Sequence, residues 1–371
     1  MGADISAVVV GTGRMAPGIA SALAQAGARV TVAGRSTDRA IRAAGLAGGD
    51  VGACALEQAA FRDARLVVET VTEDAQVKAE VYALLAPWLR QDAVLVTNTS
   101  GLSITTLARG VPRPESFAGL HFLYPAEVTP VVEIIAGAQT AAETIDVLSD
   151  LAAQMGKAPI VARRDVPGFV WNRLQHALLR EALWLVDQRV ADIATVDAAV
   201  SEGLAPRWLA AGPFATVDLG GGDTWSRVAM QLFPHLASDP SLAVILRERS
   251  EAGATFYEWQ PDALSEVARL RSHAIQASGE IAAARRKLTP APRSSGPARG
   301  RRSLEQRAVF LRAVAAALDA DRAGLAADTH TGPEDLPEQI ARASEQLRLL
   351  AAGYEAAPAP RVPDPPGSTG R

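Results

Sequence analysis

The sequence predicts an α/β domain, then an all-α domain, then a helical C-terminal extension. Three observations lead there. Residues 1–165 alternate short apolar runs with segments of helical periodicity, the pattern of a parallel α/β sheet. After Pro167-Gly168 the strand-like runs cease, and helical periodicity dominates residues 166–286. Residues 287–302 are rich in Pro, Gly, Ser and Arg and carry no acidic residue, which reads as a flexible basic linker.

The first expected strand, Ala7 to Val10, runs straight into Gly11-x-Gly13-x-x-Ala16, and an Ala-rich helical stretch follows from Ile19. Gly11 makes the tight turn, Gly13 lets the backbone approach a pyrophosphate, and Ala16 lets the helix pack close to the strand. Arg14 and Met15 complete a turn that aims the first N–H groups of the helix at phosphates. This is the signature of a dinucleotide-binding Rossmann domain. The second strand, Ala28 to Val32, bears on which dinucleotide binds. An Asp or Glu about 20 residues past the glycines would hold the 2′-hydroxyl of NAD. Gly34 stands there instead, followed by Arg35 and Ser36, with Arg39 one helical turn later. A missing carboxylate removes repulsion against a 2′-phosphate, and a guanidinium can pair with it. NADP is therefore favoured over NAD; the alternative is that Arg35 stacks on adenine and NAD binds.

Further strands are expected at Leu66 to Glu69, Ala93 to Thr97, Phe117 to Phe122, Val131 to Ile135 and Pro159 to Ala162, with amphipathic helices at Ala75 to Leu89 and Ala141 to Met155. Helices follow from Phe169 through Asp187 and onward from Thr195 and Thr224. Residues 303–357 regain a helical pattern through Val309, Leu311, Val314, Leu318 and Leu325, then Ile340, Leu347 and Leu350, and 358–371 read as a disordered tail.

A chain of 371 residues with 48% hydrophobic content has room for two cored domains and an appendage. Its net charge of -4 argues against a generic nucleic-acid binder. The single cysteine, Cys54, excludes an intrachain disulfide and fits a reducing cytoplasm. No apolar run approaches the length that spans a bilayer, and the N-terminus has no secretory signal pattern. Five scattered histidines lack metal-ligand spacing, so no metal is expected.

One histidine, which taken alone reads as a structural residue, gains a chemical reading from its position and its partner. His121 falls at the end of an expected strand, where open α/β sheets collect their ligands, and imidazole titrates near neutrality. Glu133 ends the following strand and can hydrogen-bond the far ring nitrogen, fixing the tautomer. Read by themselves, Ser100 is equally a turn or N-cap residue, Asn172 a structural amide, and Glu73 with Lys78 an exposed pair near a helix start.

Four segments taken together are more specific. They are Val68-Glu69-Thr70-Val71-Thr72-Glu73-Asp74; Thr97-Asn98-Thr99-Ser100-Gly101-Leu102-Ser103-Ile104; Gly119-Leu120-His121-Phe122-Leu123-Tyr124-Pro125 leading to Val132-Glu133-Ile134-Ile135; and Gly156-Lys157 leading through Asp165-Val166-Pro167-Gly168-Phe169 to Asn172-Arg173. In this order the chain resembles the 3-hydroxyacyl-CoA dehydrogenase family over roughly residues 5–260, including Gly212-Pro213-Phe214 to Asp218-Leu219. The resemblance implies an NAD(P)-dependent oxidation of a hydroxyl, with His121 and Glu133 as the catalytic pair. Ser100 and Asn172 would hydrogen-bond the reacting oxygen, Glu73 and Lys78 would lie near the nicotinamide ribose, and Asn98 would bind the cofactor. It also implies a helical domain that closes over the acyl group and commonly forms a homodimer.

Two departures shape the expected substrate. Tyr124 stands where the family usually has Asn before the proline. Relatives that act on coenzyme A carry a long basic helical hairpin between their second and third strands. Here only about 30 residues, Arg35 to Ala64, connect the strands expected there, and Ala43 to Phe61 contain no Lys or Arg. A small acyl thioester on an acyl carrier protein is favoured, such as the glyceryl-carrier protein of polyketide extender-unit biosynthesis. The alternatives are a 3-hydroxybutyryl-CoA dehydrogenase with a shortened loop, a free hydroxy-acid dehydrogenase of the gulonate or carnitine type, and a non-catalytic cofactor binder like the lens-crystallin relatives. The stretch from Arg307 to Leu347 resembles the first helices of an aldehyde dehydrogenase, without that family's cysteine nucleophile, and reads as an accessory or oligomerisation element.

Overall fold

The computed structural model describes residues 5–260 and 263–288, together with Arg348. The readings of residues 303–357 and 358–371 lie outside the described residues, Arg348 apart. The described chain falls into two compact units, one within Met1–Asp192 and Ala237–Gln276, the other within Ile193–Leu236 and the chain from Ala277.

The first unit is built on one eight-stranded sheet: β1 (Ser6–Val10), β2 (Arg29–Gly34), β3 (Val51–Ala55), β4 (Leu66–Glu69), β5 (Val94–Thr97), β6 (Phe117–Phe122), β7 (Val131–Ile135) and β8 (Ala158–Ala162). Their spatial order is β3-β2-β1-β4-β5-β6-β7-β8. Strands β1 to β6 run parallel, as the α/β pattern predicts. The expected all-parallel sheet needs two corrections. β7 pairs antiparallel with β6 and parallel with β8. The connection 123–130 is too short for the crossover that a parallel partner requires. An unforeseen strand, β3, fills the interval after β2, so that interval is a full crossover with an edge strand and not a bare connection.

Helices α1 (Ala16–Gln25), α2 (Thr37–Ala47), α3 (Ala75–Leu85), α4 (Ile104–Leu107), α5 (Ala142–Gln154) and α6 (Trp171–Asp187) follow the strands. Ser36, Asp74 and Ser103 cap α2, α3 and α4 by accepting backbone N–H groups of the first turn. The strand period of two divides the apolar residues between two cores. Ala7 and Val9 pack with Ile19, Leu23 and Leu148, while Val8 and Val10 pack with Tyr82, Leu85 and Phe117. Every residue of β4 and β5 is buried, as expected for central parallel strands covered on both faces.

The second unit carries α7 (Ile193–Ala198), α8 (Ala205–Ala210), α9 (Pro213–Gly220) and α10 (Gly222–Leu232), with a π-helical turn between α7 and α8 and no strand among its described residues. Helix α11 (Val244–Glu251) returns to α6, and α12 (Ala263–Leu288) ends the described chain. Helices thus replace strands after β8, as the sequence predicts, and the compact units divide at residue 192. No helix among the described residues is long and apolar enough to cross a membrane.

Candidate active site

The loops after β1, β2, β4 and β5 meet at the carboxyl edge of the sheet, where strand order reverses about β1 and ligands of open α/β sheets collect. They enclose a cleft of about 650 Å³ lined by Gly11, Gly13, Arg14, Met15, Gly34, Arg35, Ser36, Arg39, Glu73, Asn98 and Ser100, among others. Gly11 has φ +132°, and a Cβ there would lie 2.5 Å from the Thr70 carbonyl oxygen, so the turn admits only glycine. At Gly13 a Cβ would meet nothing within 4 Å, which leaves open space beside the start of α1 for a diphosphate. Ala16, buried beneath, is the first residue of that helix. These residues fit a dinucleotide. At Gly34 a Cβ would lie 2.6 Å from Thr12 Cγ2, so the Thr12 methyl fills the space a carboxylate-bearing residue would need. Ser36 already spends its hydroxyl on the Arg39 N–H as the cap of α2.

Beneath the cleft lies a buried network that sequence reasoning missed. Glu69, at the end of β4, accepts hydrogen bonds from Lys78 Nζ (2.8 and 3.0 Å), Tyr82 Oη (2.8 Å), Thr97 Oγ1 (2.7 Å) and the Val71 N–H (2.7 Å). Burial, and then the adjacent Glu69 charge, push the Tyr82 hydroxyl far above its ordinary range. Lys78, expected beside the ribose, is fully buried on Glu69 and does not line the cleft. It reaches the cleft only through Glu73, 3.5 Å away. Glu73 in turn accepts from Thr99 Oγ1 (2.5 Å) and the Ser100 N–H (2.8 Å). The available signal was a carboxylate ending an apolar strand, with Lys78 and Tyr82 one turn apart on α3. Asn98 ties three strand ends together, donating to Thr70 Oγ1 (3.3 Å) and accepting the Phe122 N–H (2.8 Å).

Glu133 lies in the middle of β7 and does not end it, and the antiparallel register there sets it directly opposite His121. His121 Nδ1 lies 2.7 Å from Glu133 Oε2, and the other oxygen, Oε1, accepts the backbone N–H groups of Val170 (3.0 Å) and Trp171 (2.8 Å) at the start of α6. Burial alone would raise the Glu133 pKa. The hydrogen bonds from His121, Trp171 and Val170 outweigh burial and hold the carboxyl below its usual range. An ionised Glu133 makes Nδ1 the protonated ring nitrogen, which leaves the Nε2 lone pair as a base. Phe169, with φ +51°, packs edge-on against the imidazole at 6.1 Å between centroids, a second restraint that sequence reasoning missed. Asn172 Nδ2 donates to the backbone carbonyl of Ser100 (2.9 Å) and so fixes that loop; the Ser100 hydroxyl makes no hydrogen bond among the described residues.

A dinucleotide cleft and a carboxylate-oriented histidine on one sheet are the equipment of a nicotinamide-dependent oxidoreductase. Comparison with known proteins names the family. Residues 48–166 match the NAD binding domain of 3-hydroxyacyl-CoA dehydrogenase, and residues 168–256 match its C-terminal domain. The chain is 34% identical over 262 residues to 5-formyl-3-hydroxy-2-methylpyridine 4-carboxylate 5-dehydrogenase of Mesorhizobium japonicum, covering 66% of this chain and 85% of that protein. It is 31% identical over 267 residues to a Deinococcus radiodurans protein named probable 3-hydroxybutyryl-CoA dehydrogenase, covering 66% of this chain and 94% of that one. It is also 34% identical over 218 residues to a Pseudomonas L-carnitine dehydrogenase, covering 59% and 67%. The crystal structure of an NAD+-dependent 5-formyl-3-hydroxy-2-methylpyridine 4-carboxylic acid 5-dehydrogenase matches with a TM-score of 0.70 at 30% identity, over 74% of this chain and 97% of that one. The chain belongs to the 3-hydroxyacyl-CoA dehydrogenase family.

Proposed function

We propose that this protein oxidises the hydroxyl of a small 3-hydroxy acid that reaches the site without coenzyme A. The observation that carries the oxidation is the His121–Glu133 pair: with Nδ1 held by Glu133, Nε2 is the base that takes the hydroxyl proton. Glu133 stabilises the imidazolium that forms, and the N–H groups at the start of α6 keep Glu133 ionised. Ser100, its backbone held by Asn172 and Glu73, keeps a hydroxyl without a partner among the described residues for the reacting oxygen. The glycine turn would hold the diphosphate of a nicotinamide dinucleotide and Glu73 and Asn98 would lie beside its nicotinamide half, which would supply the hydride acceptor.

Two observations support a substrate free of coenzyme A. The interval Ala43 to Phe61 holds no Lys or Arg and is taken up by the end of α2, β3 and a short 3-10 helix. Two relatives bear the names of enzymes for carboxylates, a pyridine carboxylate and L-carnitine. The same missing basic residues also accommodate an acyl group on a carrier-protein phosphopantetheine, such as a glyceryl group, as a second reading. The exposed Trp171, Leu174 and Trp184 on α6 support a homodimer, and the lone Cys54 supports a cytoplasmic setting.

The test presents one 3-hydroxyacyl group as the free acid, on a carrier protein and on CoA, and follows cofactor reduction with His121→Ala as the blank. Turnover on the free acid supports the first reading, and turnover confined to the carrier protein supports the second. Efficient turnover on CoA sinks both. NADP is proposed as the preferred cofactor because Arg35 and Arg39 flank a cleft with no carboxylate at Gly34. Arg35→Ala with Arg39→Ala is expected to lower kcat/KM for NADP roughly tenfold or more while sparing NAD. Equal loss with both cofactors would show that the two arginines serve the adenosine and not a 2′-phosphate.

A further inference from the structure

Tyr124 occupies the position where the family resemblance implies Asn, and the structure gives it two guanidinium neighbours. Arg14 Cζ lies 4.1 Å from the ring centroid and Arg271 Cζ lies 6.0 Å from it. Arg14 also lines the dinucleotide cleft. Tyr124 follows His121 by three residues, just past the end of β6. The loop that carries it is firmly held. Lys157 Nζ donates to the carbonyls of Ala126 and Thr129 at 2.7 Å each, and Thr129 Oγ1 donates to the Pro125 carbonyl at 2.7 Å. Neither arginine has an ion-pair partner among the described residues. Glu127, the acidic residue on the same loop, lies against Gly18 on α1 and pairs with neither. Two exposed guanidinium groups gathered at one ring concentrate positive charge that no acidic side chain there offsets, and a bound anion would neutralise it. Stacking on an aromatic face also pre-orients a planar donor fork, which suits it to a carboxylate.

We propose that Arg14 and Arg271, both stacked on Tyr124, form an anion-recognition subsite that takes the carboxylate of the substrate. The subsite makes the preferred substrate class a free hydroxy acid, with its hydroxyl at His121 and its charged end at the arginines. This deepens the function proposed above and rests on it. Tyr124 is then the residue that separates this chain's specificity from that of relatives with an amide there.

The test is calorimetry on the full chain saturated with the oxidised cofactor, which cannot reduce either ligand, using acetoacetate and its uncharged analogue acetoacetamide. Acetoacetate should bind roughly tenfold more tightly. Arg271→Gln should erase the preference, and Arg271→Lys should restore part of it. Equal affinity for the two ligands, no binding of acetoacetate, or an unchanged preference in Arg271→Gln overturns the proposal. A second titration measures NADH alone. Its affinity should match between wild type and Arg271→Gln; a tenfold loss with the acetoacetate preference intact would assign the arginines to the cofactor diphosphate and overturn the proposal as well. Circular dichroism melting of the variant shows that it is folded. The broader reading fails separately, when no form of the hydroxyacyl group is turned over in the assay above, and the binding result does not depend on turnover.

Discussion

Glu133 divides its two oxygens between a side chain and a helix start, and no neutral residue can do both. Oε2 orients His121, and Oε1 accepts two backbone N–H groups of α6. A Gln in its place offers one carbonyl oxygen to all three donors and turns an NH₂ group toward the rest. Glu133→Gln is therefore expected to lower kcat about 10²- to 10³-fold through lost base orientation and lost imidazolium stabilisation. It should also cost about 1–3 kcal/mol of stability through the donors left buried without an acceptor. The cost depends on pH in a fixed direction. The folded carboxyl titrates below its ordinary value of 4.5, so the unfolded state takes up the proton first as pH falls. The stabilisation is fully present above about pH 4.5 and is lost as pH falls through the lower folded value. Urea midpoints measured across this range should slope less in the variant than in the wild type. A variant with kcat within threefold of wild type would mean that Glu133 is only a helix-start acceptor.

The β1–α1 turn has a similar dependence on one residue. Gly11→Ala must place a Cβ 2.5 Å from the Thr70 carbonyl oxygen at a φ of +132°, so either the turn opens or β4 shifts. A strained backbone of this kind costs about 1–3 kcal/mol. The expected outcome is a lower melting temperature together with weakened NADH binding, read by fluorescence titration. Normal NADH affinity would show that the turn does not have to approach the diphosphate. The turn was legible because chemistry forces its spelling, and the central strands because burial on both faces requires unbroken apolar runs. β3 was not: Val51-Gly52-Ala53-Cys54-Ala55 holds one β-branched residue, and as an edge strand it is only partly buried. Small residues fit there because a Cβ at Gly52 already approaches Thr31 Oγ1 at 3.2 Å. The direction of β7 was not in its apolar run either; only the short 123–130 connection carried it. In the site, His121 was legible as a chemistry-bearing residue near a strand end and Glu133 as its partner, although Glu133 lies in the middle of β7, whereas Glu69 hides as the last residue of a buried strand. Lys78 looked like half of an exposed helical pair because a helix start is usually solvated. Its burial depends on Glu69, which is distant from it in the usual i to i+4 sense.

At the scale of the whole molecule, the cofactor cleft is assembled from residues 10–15, 33–39, 56, 70–73 and 98–100 and from one face of α3, all within the sheet-bearing unit. No residue of Ile193–Leu236 lines it. Unfolding separates these segments, so the unfolded chain has no comparable site, and a bound dinucleotide stabilises the native state by mass action. NADH at 100 times its Kd should add about 2.7 kcal/mol. In a cooperative unit of about 200 residues that raises the melting temperature by about 5–10 °C. If calorimetry resolves two transitions, only the one that belongs to the sheet should move, because the other unit contributes nothing to the cleft. Gly11→Ala should abolish the shift and His121→Ala should retain it, since His121 lies outside the cleft lining while Gly11 forms its floor. A rise of similar size in Gly11→Ala would place the dinucleotide somewhere other than the glycine turn, and with it the whole account of how this sheet positions its chemistry would fall.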